Sequence, residues 1–233
     1  MSSSAASPGV AYAGIRRRIN ELVADTTDRW GDTVPACPEW RVHDLVCHVA
    51  GVVDDVLGGR LEGAGTDPWT AAQVSSRRDR PLTDVLAEWN SQAEQLEAVL
   101  DTFGPPGRQL VMDAVTHEHD LRNALGAPGA RDSDAVVIGV DWLITAYQGA
   151  ADAAGHPGVR VVSTDGAEAS WAPKIERPVV ATVTATSFDL LRAFSGRRTD
   201  AEIRSLSWDG DVDAALASFS FGPFRRPTDS LGE

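Results

Sequence analysis

Hydrophobic residues recur at intervals of three and four positions through the first two thirds of the chain, with charged residues between them. This spacing is typical of amphipathic helices. It predicts five helices, at 10–30, 42–57, 81–100, 109–125 and 132–154. Segments that contain proline, glycine or polar residues separate them, among them the loop 34–39 and the polar link 60–80. The first two thirds of the chain therefore predict a helical bundle.

The pattern changes after Pro157 to alternating and β-branched residues. It predicts strands at 159–163 and 179–186, with a turn at 164–166 and a returning strand at 169–172. Ser187 is placed to cap a short helix that ends near Phe194. We therefore predict an α+β protein with a boundary near residue 157, which separates a helical bundle at 1–157 from a small α+β domain at 158–233.

The composition of the chain excludes several functions. Its 233 residues include 21 Lys and Arg against 34 Asp and Glu, a net charge of −13. No nucleic-acid partner is expected, because phosphate binding needs a clustered basic surface. The two cysteines, Cys37 and Cys47, are predicted to be free thiols in a reducing compartment. We expect a cytoplasmic protein with no membrane partner, since the sequence shows neither a signal-peptide pattern nor a long apolar segment.

Histidines and carboxylates on the second and fourth predicted helices form a candidate site. Asp113 and His117 are four residues apart and share a helix face, as do Asp44 and His48. Facing helices of a bundle bring such side chains together. His48, Asp113 and His117 would give a divalent metal two nitrogens and one oxygen and leave a position open, as in a catalytic zinc site. Asp44 and Asp120 are placed to hold the other ring nitrogens.

Spacing alone favours a simpler interpretation of the same residues. Asp113 and His117 would then be an ion pair on the surface, and His48 a buried histidine with a hydrogen-bond partner. Cys47 is turned about 100° around the helix from His48, so we predict that it packs in the core. Cys37 is interpreted as an ordinary loop residue.

Three further residues are candidates for other roles. His119 faces away from His117 on the predicted helix and is expected to be solvated. Trp69 lies in a polar link and is a candidate pocket residue. Arg225 is placed to hold an anionic substrate, although a solvated turn is the simpler explanation.

Two segments match the motifs of a known family. The first, at 37–51, reads CPEWRVHDLVCHVAG, a Pro-x-Trp loop followed by a helix with His48 before small residues. The second, at 113–121, reads DAVTHEHDL. In this order they resemble the mycothiol-dependent maleylpyruvate isomerase family, within the DinB-like superfamily of metal-binding four-helix bundles. The resemblance assigns a metal to His48, Asp113 and His117, with Asp113 where the family commonly has Glu.

The C-terminal region resembles the same family. The run 195–224, which includes SGRR, LSWDGD and FGPF, is similar to the small sterol-carrier-like C-terminal domain of actinobacterial members. An actinobacterial source also fits the basic residues, which are 20 Arg and a single Lys. The resemblance thus implies a DinB-like four-helix bundle followed by a small sterol-carrier-like α+β domain.

The resemblance also implies a chemistry. A divalent metal, zinc first, would keep the thiol of mycothiol ionised, and the thiolate would attack a small electrophile of the maleylpyruvate type. An isomerase would release the thiol again, whereas a transferase would release the adduct. A catalytic Arg225 would hold the anionic substrate. Two alternatives stay open: a member that acts on one biosynthetic intermediate of specialised metabolism, and a non-catalytic protein that binds a small apolar molecule.

Overall fold

The chain folds into two compact units. The computed structural model describes residues 6–165, 170–173 and 178–233. One unit spans Ala6–Gly129 and the other is built from Ala130–Glu233. The division falls between Gly129 and Ala130, whereas the sequence predicts it near residue 157. Among the described residues, no helix combines the length and the apolar character needed to cross a membrane.

The first unit is a bundle of four long helices with one short helix and a two-stranded ribbon. Its elements are α1 (Pro8–Ala24), a 3₁₀ helix (Thr27–Arg29), β1 (Thr33–Val34), β2 (Cys37–Arg41), α2 (Val42–Leu57), α3 (Asp67–Ser75), α4 (Leu82–Leu100) and α5 (Pro105–Leu125). Both α1 and α2 pack against α4 and α5. The four helices therefore enclose one core, where Ile15, Leu45, Trp89 and Val115 are fully buried. The predicted four-helix bundle is confirmed.

Three segments of this unit differ from the prediction. The first helix ends before residue 30, and the chain turns back at Trp30, whose indole Nε1 donates to the Val23 carbonyl at 2.8 Å. The segment interpreted as a loop contains the antiparallel ribbon of β1 and β2. The polar link contains α3, which has no helical hydrophobic pattern because only Gln73 and Val74 of its nine residues are buried.

The second unit is built around a mixed four-stranded sheet. Its elements are α6 (Asp134–Ala153), β3 (Gly158–Ser163), β4 (Ser170–Trp171), β5 (Val179–Ala185), α7 (Ser187–Phe194), α8 (Asp200–Arg204), β6 (Ser207–Gly210) and α9 (Val212–Leu216). The strand order is β4-β3-β5-β6. The central strands β3 and β5 are parallel, whereas β4 and β6 are antiparallel to their neighbours. The predicted α+β class is confirmed.

The local predictions in this unit hold with one correction. The strands β3 and β5 lie within two residues of the predicted ones, and β4 returns antiparallel to β3. Gly166 of the predicted turn and Ala169 of the predicted returning strand lie outside the described residues. The cap of α7 is Thr186, whose hydroxyl oxygen accepts from the Asp189 backbone N–H at 3.1 Å. Ser187, which the sequence predicts as the cap, is instead the first residue of the helix.

The fifth predicted helix, α6, groups with the sheet and not with the bundle. It packs against α7 and β3, and the Gln148 amide donates to the Val159 carbonyl at 2.8 Å. The ring of Tyr147 lies 5.0 Å from that of Phe194. A hydrophobic pattern identifies the buried face of a helix but not its partner, which explains the different boundary. The sterol-carrier-like shape expected for this region stays a prediction.

Candidate metal centre

Two histidines and an aspartate of the first unit face one another between α2 and α5. His48 comes from α2, whereas Asp113 and His117 lie one turn apart on α5. His48 Nε2 is 3.8 Å from Asp113 Oδ2, and His117 Nε2 is 3.6 Å from Asp113 Oδ1. One ligand atom from each residue lies within 4.8 Å of the other two. The structure thus brings together the three residues that the sequence suggests as metal ligands.

The spacing of these atoms fits a tetrahedral metal ion. Two ligand atoms bonded to zinc at about 2.0–2.1 Å lie about 3.4 Å apart at the tetrahedral angle. The observed distances, 3.6 Å from His117 Nε2 to Asp113 Oδ1 and 3.8 Å from His48 Nε2 to Asp113 Oδ2, lie near this value for one oxygen each and are too long for hydrogen bonds. The His117 side chain is buried, so a surface ion pair does not describe it, whereas its neighbour Asp113 is 32% exposed. His48 is buried with a hydrogen-bond partner, as the simpler interpretation expects. A bound metal would be approached from the Asp113 side.

A chain of hydrogen bonds places the proton on His48. Gln73 of α3 faces His48 Nδ1 through its Oε1 atom at 2.8 Å, and its Nε2 donates to Asp55 Oδ2 at 2.8 Å. A carboxylate can only accept, so Gln73 must turn its NH₂ group to Asp55 and its carbonyl oxygen to His48. Nδ1 of His48 therefore carries a proton, and in the neutral imidazole Nε2 presents its lone pair toward Asp113. Gln73 is not predicted from the sequence, because α3 has only two buried residues and so no helical hydrophobic pattern.

Ion pairs fix α3 beside the bundle. Arg77, just after α3, donates from Nη2 to Glu88 Oε1 of α4 at 2.6 Å and to Asp54 Oδ2 of α2 at 3.1 Å. Burial raises the pKa of Glu88, but hydrogen bonds from Arg80 and Arg77 outweigh it, so the pKa lies below its usual value. These ion pairs hold α3, which carries Gln73, against both α2 and α4.

A glycine allows α3 to approach α2. Gly51 lies three residues after His48, and a Cβ atom at this position would lie 2.6 Å from the Cβ and 2.8 Å from the Cγ of Gln73. Real Cβ contacts are essentially never that short. Any side chain at position 51 would displace Gln73 and with it the oxygen that faces His48. The close approach of Gln73 thus explains why glycine, which lacks a side chain, stands at position 51 after the motif histidine.

Asp120 fixes the proton of the second histidine in the same way. Its Oδ2 lies 3.1 Å from His117 Nδ1, and its side chain is fully buried. This is the role that the sequence predicts for Asp120. Cys37 of β2 forms a second group with His117 and Asp120, also within 4.8 Å. That group shares His117 with the first and would draw Asp120 away from its present role, so the first group is the better metal centre.

Trp40 covers both imidazole rings. Its ring centroid is 5.1 Å from that of His48 and 6.3 Å from that of His117, and the two histidine rings meet edge to face at 5.0 Å. Trp40 lies in β2, which runs directly into α2. The ribbon, interpreted from the sequence as a loop, therefore positions an apolar wall that limits the access of water to the donors.

Other residues singled out in the sequence have different roles. Asp44 does not contact a ring nitrogen: its Oδ2 accepts from the Arg41 backbone N–H at 3.0 Å, and its Oδ1 accepts from Arg78 Nε at 2.8 Å. It therefore caps α2. His119 is buried, so the expectation that it is solvated is wrong. Cys47 is fully buried as predicted, and burial, with a smaller effect of Asp44, raises the pKa of its thiol to about 12.

Glu118, the neighbour of His117, anchors α5 to α1. Its fully buried carboxylate accepts two hydrogen bonds from Arg18, both at 2.7 Å, and one from Arg122 at 3.0 Å. Successive helix residues are turned by about 100°, so this anchor fixes the rotation of α5 about its axis. It thereby directs His117 and Asp113 toward α2.

Arg225, the predicted catalytic residue, belongs to the second unit. Its guanidinium is exposed and donates from Nη1 to the carbonyl oxygens of Gly222 at 2.7 Å and Phe224 at 2.9 Å. These contacts resemble the solvated turn that the sequence offers as the simpler explanation. A role for Arg225 in holding an anionic substrate stays a prediction.

Comparison with known proteins identifies one segment of the chain. Residues 12–122 match the family model described as the mycothiol maleylpyruvate isomerase N-terminal domain. No curated protein and no solved structure matches the chain. The matched segment includes His48, Asp113 and His117, together with the hydrogen-bond partners Gln73 and Asp120.

Proposed function

Because residues 12–122 belong to the mycothiol maleylpyruvate isomerase N-terminal domain family, we propose that this protein is a metal-dependent enzyme that uses mycothiol to convert a small electrophilic substrate. The observation that carries the proposal is the pair of histidine Nε2 atoms that face Asp113 while a partner holds each Nδ1. A donor group arranged in this way needs little reorganisation to bind a metal. Two nitrogens and one carboxylate oxygen with an open position match one type of catalytic zinc site, so zinc is the metal that we propose.

Each residue around this centre would have a separate role in the reaction. A zinc ion held there would keep a thiol ionised at neutral pH and so supply the nucleophile. His48, His117 and Asp113 would hold the ion, while Gln73 and Asp120 keep the ring protons away from it. Trp40 limits water on one side, and the exposed Asp113 carboxylate leaves the other side open to thiol and substrate.

The reaction follows from thiol chemistry. The sulfur of mycothiol forms a bond to the electrophilic carbon of an activated double bond, and a proton adds to the adjacent carbon. In an isomerase, rotation about the carbon–carbon bond that was the double bond is followed by loss of a proton from the adjacent carbon and cleavage of the C–S bond, which re-forms the double bond and returns the thiol. In a transferase the adduct is the product. The cytoplasm is the proposed compartment, because low-molecular-weight thiols stay reduced there.

Metal content tests the proposal first. We expect close to one zinc ion per chain in protein purified without added metal and a loss of zinc in His117→Ala, measured by elemental mass spectrometry. His43→Ala is the matched control, since His43 lies on α2 and its Nε2 contacts the Arg80 carbonyl, outside the donor group. Absence of metal from the wild type would refute the proposal and favour the non-catalytic binding protein.

Turnover tests the chemistry second. The zinc-loaded protein should consume an activated double-bond substrate only when mycothiol is present. His48→Ala should abolish this turnover, while its circular dichroism spectrum should show that the fold is retained. Recovery of free thiol with a rearranged substrate identifies an isomerase, and a stable thioether identifies a transferase. Equal rates with and without the thiol would contradict the proposed role of mycothiol.

A further inference from the structure

An apolar pocket opens beside Asp113 in the first unit. It has a volume of about 240 Å³ and is lined by residues of α2, α3 and α5 and of the segments between helices. Val52 and Val56 follow His48 at intervals of four residues on α2, and Gln109 precedes Asp113 by four on α5. The pocket therefore continues along the two helix faces that carry the metal donors, and Asp113 belongs to both.

The pocket carries almost no charge. Asp113 is the only charged side chain among the described residues that line it. Two basic side chains of the same unit, Arg41 and Arg78, line a different cavity of about 470 Å³. A dicarboxylate held along the pocket would find no cationic side chain in its lining, and the zinc proposed at the Asp113 end could pair with only one of its two carboxylates. Burial of the other, unpaired carboxylate is costly. The charge of the lining thus disfavours a dianion such as maleylpyruvate and favours an uncharged group.

Exposed apolar side chains converge on this pocket. Leu61 and Phe103 are 51% and 38% exposed, and they are two of the four large hydrophobic residues that the described part of the chain exposes. Both line the pocket, as does Trp69, which the sequence suggests as a pocket residue. The Trp69 indole N–H donates to the Arg60 carbonyl at 3.1 Å, so the polar edge of the ring is already bonded. Such a concave apolar lining indicates a ligand that covers it.

We propose that this pocket binds an uncharged apolar group of the substrate and holds the electrophilic carbon at its Asp113 end. The substrate class is then hydrophobic electrophiles, aromatic or aliphatic, and not dicarboxylates. Gln109, one turn before Asp113, supplies an amide for a polar substituent near the reacting carbon. The inference rests on the proposed function for the reaction, but the binding of the apolar group requires no metal.

Binding of N-phenyl-1-naphthylamine, an uncharged aromatic fluorophore, tests the pocket in the full chain. We expect saturable binding to both the wild type and His117→Ala, and no displacement by maleate. Val56→Asp places a carboxylate in the wall and should weaken binding by roughly tenfold or more. Leu61→Asp makes the same change at an exposed position, where folding is not at risk. Val10→Asp is the matched control, because Val10 is 66% exposed on α1 and does not line the pocket.

A second measurement tests whether the pocket lies next to the metal centre, with fluorobenzene as a small apolar ligand. With Mn²⁺ in place of zinc, the ¹⁹F relaxation of bound fluorobenzene should be faster than in the zinc form, and Val56→Asp should remove the effect. Displacement of the fluorophore by maleate, or equal binding by Val56→Asp, Leu61→Asp and the wild type, would overturn the proposal. Retained fluorophore binding in a protein that never takes up metal would instead refute the proposed function and leave the apolar pocket established.

Discussion

Replacement of Gln73 by leucine tests whether the hydrogen bond to His48 prepares the metal centre. Gln73 is 2% exposed and His48 is 4% exposed, so no water replaces the lost acceptor. Without metal, the imidazole can move its proton to Nε2, which faces the partly exposed Asp113 carboxylate, and a small shortening of their 3.8 Å separation would give that N–H an acceptor. With metal on Nε2, the proton must stay on Nδ1 and loses its acceptor. The penalty therefore falls on the metal-bound form.

Two routes give the size of this penalty. A buried donor without an acceptor costs about 1–3 kcal/mol. Loss of the partner that orients a metal-binding histidine weakens metal binding by about 10–100-fold, which corresponds to about 1.4–2.7 kcal/mol. Because the two ranges agree, we expect the zinc dissociation constant of Gln73→Leu to rise by about 10–100-fold. Competition with a chromogenic zinc chelator at neutral pH measures it.

Gln92→Leu is the matched control for this experiment. Gln92 of α4 is half-buried and donates to Asp54 Oδ1 at 3.3 Å, so the substitution removes the same amide beside the same ion pairs without touching a metal donor. Its zinc affinity should equal that of the wild type. If Gln73→Leu gives the circular dichroism spectrum of a folded protein and still binds zinc within about twofold of the wild type, the hydrogen bond to His48 does not prepare the metal centre.

Three further variants test other contacts of the first unit. Gly51→Ala should lower stability by about 1–3 kcal/mol and weaken zinc binding, whereas Gly149→Ala, whose Cβ meets nothing within 4 Å, should do neither; thermal unfolding and chelator competition measure both. Glu118→Gln should cost about 3 kcal/mol in urea unfolding, because two arginines lose a buried partner; an unchanged midpoint would contradict this. Glu88→Gln should cost about 1–2 kcal/mol at neutral pH. The folded-state pKa of Glu88 is lowered, so its contribution to stability is present above the unfolded value of about 4.3 and is lost as the pH falls further. The difference between Glu88→Gln and the wild type in urea unfolding should therefore shrink in acid. Glu62→Gln is the control at an exposed position and should unfold like the wild type at neutral pH.

Helical spacing predicts the bundle, and the family motifs predict the three metal ligands. The apolar period of α2 gives its bounds to the residue, at 42–57. Asp113 and His117 share a face at any helix rotation, since they are four residues apart. The family motifs then select them and His48 together.

The residues that the sequence does not predict depend on packing between elements. Asp44 shares a face with His48, but as the third residue of α2 it lies beside the backbone N–H of Arg41 and caps the helix. Gln73 reaches His48 from a helix with two buried residues, which leaves no periodic signal. Cys37 approaches His117 only because β1 and β2 form a ribbon. A single sequence carries no sign of these tertiary contacts.

The glycine at position 51 affects how the site can change by mutation. Every amino-acid replacement there adds a Cβ atom, because glycine alone lacks one. No replacement at this position is conservative, whereas Asp113→Glu would keep a carboxylate at position 113. A single mutation of the codon for Gly51 would therefore change both the spacing of α2 and α3 and the hydrogen bond that holds the proton on His48.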